Sequence, residues 1–160
     1  MPELGFAGVI EAILGGLHPG FVLLSASIVE NGLQSAILAK MRPLSNNFKN
    51  RLFDGYGPLS SFSSKIDVAF ALCVIDEQLF SNLKIIKEIR NEFAHPKKDR
   101  IVSFSDANIT DICKKFSGYE GDNIKVFLQT ISNCLENLGL HPDLVEAAKH
   151  ALGQPPAQIP

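Results

Sequence analysis

The chain has 160 residues, 46% of them hydrophobic and 20% charged, with a formal net charge of −2 and a sequence pI near 6.1. That balance excludes a disordered chain and suits one domain with a real core, and the charge excludes a global basic field for nucleic acid or anionic lipid, leaving only a local patch open. Cys73, Cys113 and Cys134 are widely spaced with no CxxC, which argues against a disulfide framework or zinc site and makes them small core residues.

Stripes of 3.6-residue period recur while period-two alternation is rare, so the expected fold is all-α. It is a single-domain helical bundle over 1–150, of about seven to eight helices with a buried central helix, and residues 151–160 form a disordered tail. Ala7, Ile10, Leu14 and Leu17 mark a short first helix, closed at "GLHPG" by a prolyl turn. The nearly uncharged stretch Leu14 to Val29 contains Pro19 and three glycines, which argues against a membrane span. The start "MPELGFAGVIEAIL" carries Glu3 and Glu11 where a secretory signal is basic or apolar, so a cytoplasmic location is expected.

A second helix is expected from Phe21 to Met41. A short one follows, capped by Ser45 or Asn46, and "DGYGPLSS" is a loop. The next helix starts near Ser60 or Ser61 and runs through "FSSKIDVAFALCVID". Phe62, Ile66, Ala69 and Cys73 line one side and Ala71, Val74 and Ile75 the other, the pattern of the buried central helix. "EQLFSNLKIIKEIRNEFAH" is a helix stopped by Pro96, "PKKDR" a solvated turn, and "SFSDANITDICKKF" a helix capped near Asp106. "DNIKVFLQTISNCLENLGL" ends at Gly139, and a last helix follows Pro142.

Arg90 breaks its helix's pattern. At ~100° per residue it falls within the stripe of Leu79, Leu83, Ile86, Phe93 and Ala94, whereas Asn91 and His95 lie together on the polar side, His95 roughly 140° away from Arg90. A buried guanidinium requires partners. Two carboxylates with apolar helical neighbours qualify, Asp67 and Glu30, so a structural network of Glu30, Asp67 and Arg90 is expected. His95, before Pro96, suits a C-terminal cation on the helix dipole. His18, His141 and His150 are scattered without HxxxH spacing, so no metal and no cofactor is expected.

"RLFDGYGPLSSFSSKIDVAFALCVI" and "LKIIKEIRNEFAH", with the later "SFSD", resemble the mannitol operon repressor family of bacterial proteins, most specifically over Arg51 to Phe104. The resemblance implies an all-helical fold and a role in lowering transcription of a sugar-alcohol operon without a recognisable DNA-binding motif. "RNEFAH" also resembles the R-x4-H motif of HEPN domains, which cleave RNA without metal at a dimer cleft. That likeness implies Arg90, Asn91 and His95 as catalytic residues, the histidine as general acid or base and the arginine stabilising the phosphorane charge.

The expected function is a non-enzymatic regulator whose partner is another protein of the transcription-control pathway. No membrane partner and no direct sequence-specific DNA contact is expected, since no basic recognition helix is visible, while a homodimer is compatible with the pattern. The alternative is a HEPN-like metal-independent ribonuclease or toxin component. An Arg90 buried on Asp67 or Glu30 favours the first, and an Arg90 open to solvent and a dimer mate favours the second.

Overall fold

The structure, a computed structural model, describes residues 6–97 and 101–139, with side chains in the first helix from Pro19 onward. The expected stripe Ala7 to Leu17, most of "PKKDR", the helix after Pro142 and the tail 151–160 lie outside the described residues or side chains. Six helices and no strand occur among the described residues: α1 (Phe6–Lys40), α2 (Asn46–Phe53), α3 (Phe62–Ala71), α4 (Glu77–Ala94), α5 (Ala107–Cys113) and α6 (Asn123–Asn137).

Local chemistry sets most of the boundaries. Ser45, Ser61, Asp76 and Asp122 each accept a hydrogen bond from the backbone N–H three residues on, satisfying a donor that the first helical turn leaves unpaired. Gly139, at φ +68°, follows α6 in a conformation that favours glycine. At the other end of the chain the expected turn is absent, because α1 continues through Pro19. Proline there removes one hydrogen bond, the one its N–H would give to Gly15, and a helix absorbs such a loss by local bending when its neighbouring turns remain bonded.

The core is one contiguous cluster. α1 contributes Val22, Ala26, Val29, Leu33 and Ile37, spaced by three and four along a single face. By length and composition Pro19–Lys40 could also cross a membrane, but this stripe packs it into the bundle, against α3, α4 and α6. α4, not α3, is the central element. It packs on α1, α3, α5 and α6 and buries Leu79, Leu83, Ile85, Ile86, Ile89 and Phe93. Phe93, Phe104 and Phe127 form a chain of rings with centroids 5.1 and 5.4 Å apart, fastening the 101–106 segment between α4 and α6. Beside them Asn123 Nδ2 donates to the Phe104 carbonyl at 2.6 Å and to Thr110 Oγ1 at 2.7 Å.

α3 departs from the expected central helix because it stops after ten residues. Cys73 takes the left-handed conformation at φ 54°, its N–H donates to the Phe70 carbonyl, and Val74 N–H reaches back to the Ala69 carbonyl. These two bonds are a Schellman closure with cysteine where glycine is usual. The turn leaves Ala71, Leu72 and Cys73 exposed, correcting the expectation that all three cysteines are core residues; Cys113 and Cys134 are buried.

Candidate functional site

The C-terminal half of α4 carries the residues that the sequence singles out. Its end is set by His95, the C-cap, whose φ of −127° and ψ of 67° take it out of the helix while its N–H still donates to the Asn91 carbonyl. That φ differs from the helical value by roughly 60°, so the His95 side chain leaves the helical wheel on which the ~140° divergence from Arg90 was reckoned. Arg90 is half-buried between Ile89 and Phe93 of the core stripe, and Asn91 and His95 are exposed. Neither the Arg90 guanidinium nor the His95 imidazole makes a hydrogen bond or ion pair among the described residues.

The expected network of Glu30, Asp67 and Arg90 is therefore not assembled. Glu30 Oε1 instead accepts from Lys65 Nζ at 2.7 Å, with side-chain exposures of 15% and 6%, and Asp67 faces solvent. The reason is angular. On α3, Lys65 lies within roughly 60° of Phe62 and Ala69, on the buried arc, whereas Asp67 lies about 140° from Phe62. The signal for Lys65 was present on the wheel, but it is hidden once the helix is treated as apolar all round.

Around Arg90 the other charges of α4 are engaged with the 107–115 segment and with α3. Lys115 Nζ donates to both Glu88 oxygens at 2.8 Å, and Asn108 Nδ2 donates to Glu92 at 2.9 Å. Lys87 donates to Ser63 at 3.2 Å, joining α4 to α3. These contacts occupy the carboxylates flanking Arg90 in sequence, so the guanidinium keeps its donors available to an anion. A shallow depression of about 390 Å³ extends up to roughly three turns earlier, lined by Phe80, Ser81, Lys84, Ile85, Glu88 and Lys115. Its aromatic floor is taken up, since the Phe80 ring stacks on Phe70 at 4.4 Å and Lys84 Nζ sits 5.0 Å from its centroid. No group of three or more His, Cys, Asp or Glu side chains arranged to hold a metal occurs among the described residues.

The arrangement thus offers an unpaired cation, an amide and an imidazole at one helix end, with no hydrogen bond linking their side chains. It can bind an anion, and proton transfer additionally requires His95 to reach the same ligand. Comparison of the chain with protein-family models, with curated proteins and with solved structures returns no match.

Proposed function

We propose that the chain is a cytoplasmic transcriptional regulator similar to the mannitol operon repressor family, non-enzymatic, acting by docking on another protein rather than by reading DNA grooves. In this reading the chain is a single domain. The resemblance over Arg51 to Phe104 is one support. The structural observation that carries the reading lies inside that stretch: the turn closing α3 turns Leu72 outward at 46% exposure beside Phe70 at 38%, with Ala71 and Cys73 also exposed. Adjacent apolar side chains facing water are a common mark of a protein-binding surface. The test is a photo-crosslinking residue at position 72, with a second at exposed Gln129 as control, in cells grown on a sugar alcohol. A discrete protein adduct at 72 and none at 129 supports docking, and identical labelling from both positions refutes it.

A second reading, a HEPN-like ribonuclease using Arg90, Asn91 and His95, is favoured by one specific observation, that no carboxylate among the described residues holds Arg90. It is tested by incubating the protein with structured and single-stranded RNA in chelator. Cleavage that disappears in His95→Ala establishes this reading, and intact RNA removes it.

A further inference from the structure

Charge is segregated along this chain. Residues 31–58 contain Lys40, Arg42, Lys49 and Arg51 against a single carboxylate, Asp54, on a chain whose formal net charge is −2. The four cations are close in sequence: Lys40 ends α1, Arg42 lies in the five-residue link, and Lys49 and Arg51 are on α2. None of the four forms an ion pair among the described residues, whereas Lys65, Lys114, Lys115 and Lys125 each pair with a carboxylate.

Aromatic rings are exposed among these cations. α2 is anchored by buried Phe53 and half-buried Leu52, so its other side, with Asn46, Asn47, Phe48, Asn50 and Arg51, faces solvent. Phe48 is 44% exposed, and the Arg51 guanidinium carbon lies 5.6 Å from its ring centroid. Tyr56 is fully exposed in the turn that follows. That turn is pinned to the helix end: Leu59 N–H donates to the Leu52 carbonyl at 2.8 Å, and a Cβ on Gly57 would meet the same carbonyl oxygen at 2.4 Å. Tyr56 is thereby tethered near α2.

Unpaired cations track a phosphate backbone, and exposed rings stack on bases that have left a duplex. Exposed asparagines add donors and acceptors for base edges and argue against insertion into a lipid surface, which rewards an aliphatic face. A duplex offers these rings no base face. We propose that the α1–α2 link, α2 and the turn to Gly57 form a binding surface for single-stranded nucleic acid, with Lys40, Arg42 and Arg51 on phosphates and Phe48 and Tyr56 stacked on bases. This surface is separate from the α4 end and from Phe70 and Leu72, and it stands or falls independently of the regulator reading.

The experiment is fluorescence anisotropy with fluorescein-labelled uridylate and thymidylate dodecamers and a duplex of equal length, across a salt series from about 50 mM upward. Wild type should bind the single strands, with a log–log salt slope of about −2 if three phosphates are neutralised. Arg42→Glu with Arg51→Glu should weaken binding at least about tenfold and flatten that slope. Phe48→Leu, which keeps an apolar side chain but removes the ring, and Tyr56→Ala should each weaken binding about fivefold or more at unchanged slope. Charge reversal at Lys114 and Lys125 should leave binding as in wild type. The proposal is overturned by no saturable binding, by a duplex bound as tightly as single strands, by ring-removed variants that bind like wild type, by control reversals as damaging as those on α2, or by binding to phosphatidylserine vesicles alone.

Discussion

The pair Lys65–Glu30 allows the sharpest test of the packing. Replacing Glu30 by leucine strands an ammonium whose side chain is only 6% exposed and whose partner oxygen stood 2.7 Å away. Breaking a buried pair from one side costs about 3–5 kcal/mol. Lys65→Met keeps most of the apolar stem and strands the carboxylate instead, which at 15% exposure retains more water, so the expected cost is lower, about 1–3 kcal/mol. The double variant removes both charges and should fall within about 1 kcal/mol of wild type, because apolar replacement of a whole buried pair is often neutral. Urea unfolding of the four proteins, followed by circular dichroism and analysed as a double-mutant cycle, gives these values. The reasoning is refuted if Glu30→Leu costs under about 1 kcal/mol, if Lys65→Met is the more damaging single change, or if the double variant simply sums the singles.

Arg90→Ala strands no carboxylate among the described residues, so the loss is that of a packed stem, about 1 kcal/mol; a drop above about 3 kcal/mol in urea unfolding would reveal a buried partner. Cys73→Gly should stabilise by roughly 0.5–1 kcal/mol, since glycine adopts φ 54° without the Cβ penalty, and a lowered melting temperature would contradict the Schellman assignment. Gly57→Ala should cost about 1–3 kcal/mol because its Cβ would meet backbone atoms of Arg51 and Leu52, whereas Gly118→Ala, with open space around it, should be tolerated; equal melts would refute this. Burial pushes the Cys113 thiol up to about 11 and Cys134 up to about 12 from 9.0. The unfolded chain therefore loses these protons first, and stability should be complete below about pH 9 and fall as pH rises toward 11–12. Urea midpoints measured across this range should fall less steeply in Cys134→Ala than in wild type, and parallel curves would rule out the thiol contribution.

Much of the fold is legible in the sequence because its determinants are local. The caps at Ser45, Ser61 and Asp122 and the stop at Gly139 act within about one helical turn, on groups three or four residues away. Alternation of apolar residues every three or four positions likewise assigns Val22 to Ile37, Leu79 to Phe93 and Val126 to Leu135 to the core. The positions of Arg90 and Asn91 on α4 follow from the same arithmetic, whereas His95 leaves the helix as its C-cap.

What the sequence does not decide is how one helix meets another. Glu30 and Lys65 are 35 residues apart, and their pairing depends on the rotation and height at which α1 and α3 pack, which no local rule supplies. The same holds for Arg90, which has no partner among the described residues, while Glu88 and Glu92 are taken by Lys115 and Asn108 of the 107–115 segment. The stop at Cys73 and the central place of α4 are also tertiary outcomes: propensity differs among the alternatives by about 1–2 kcal/mol, an amount that burial of a few side chains overrides.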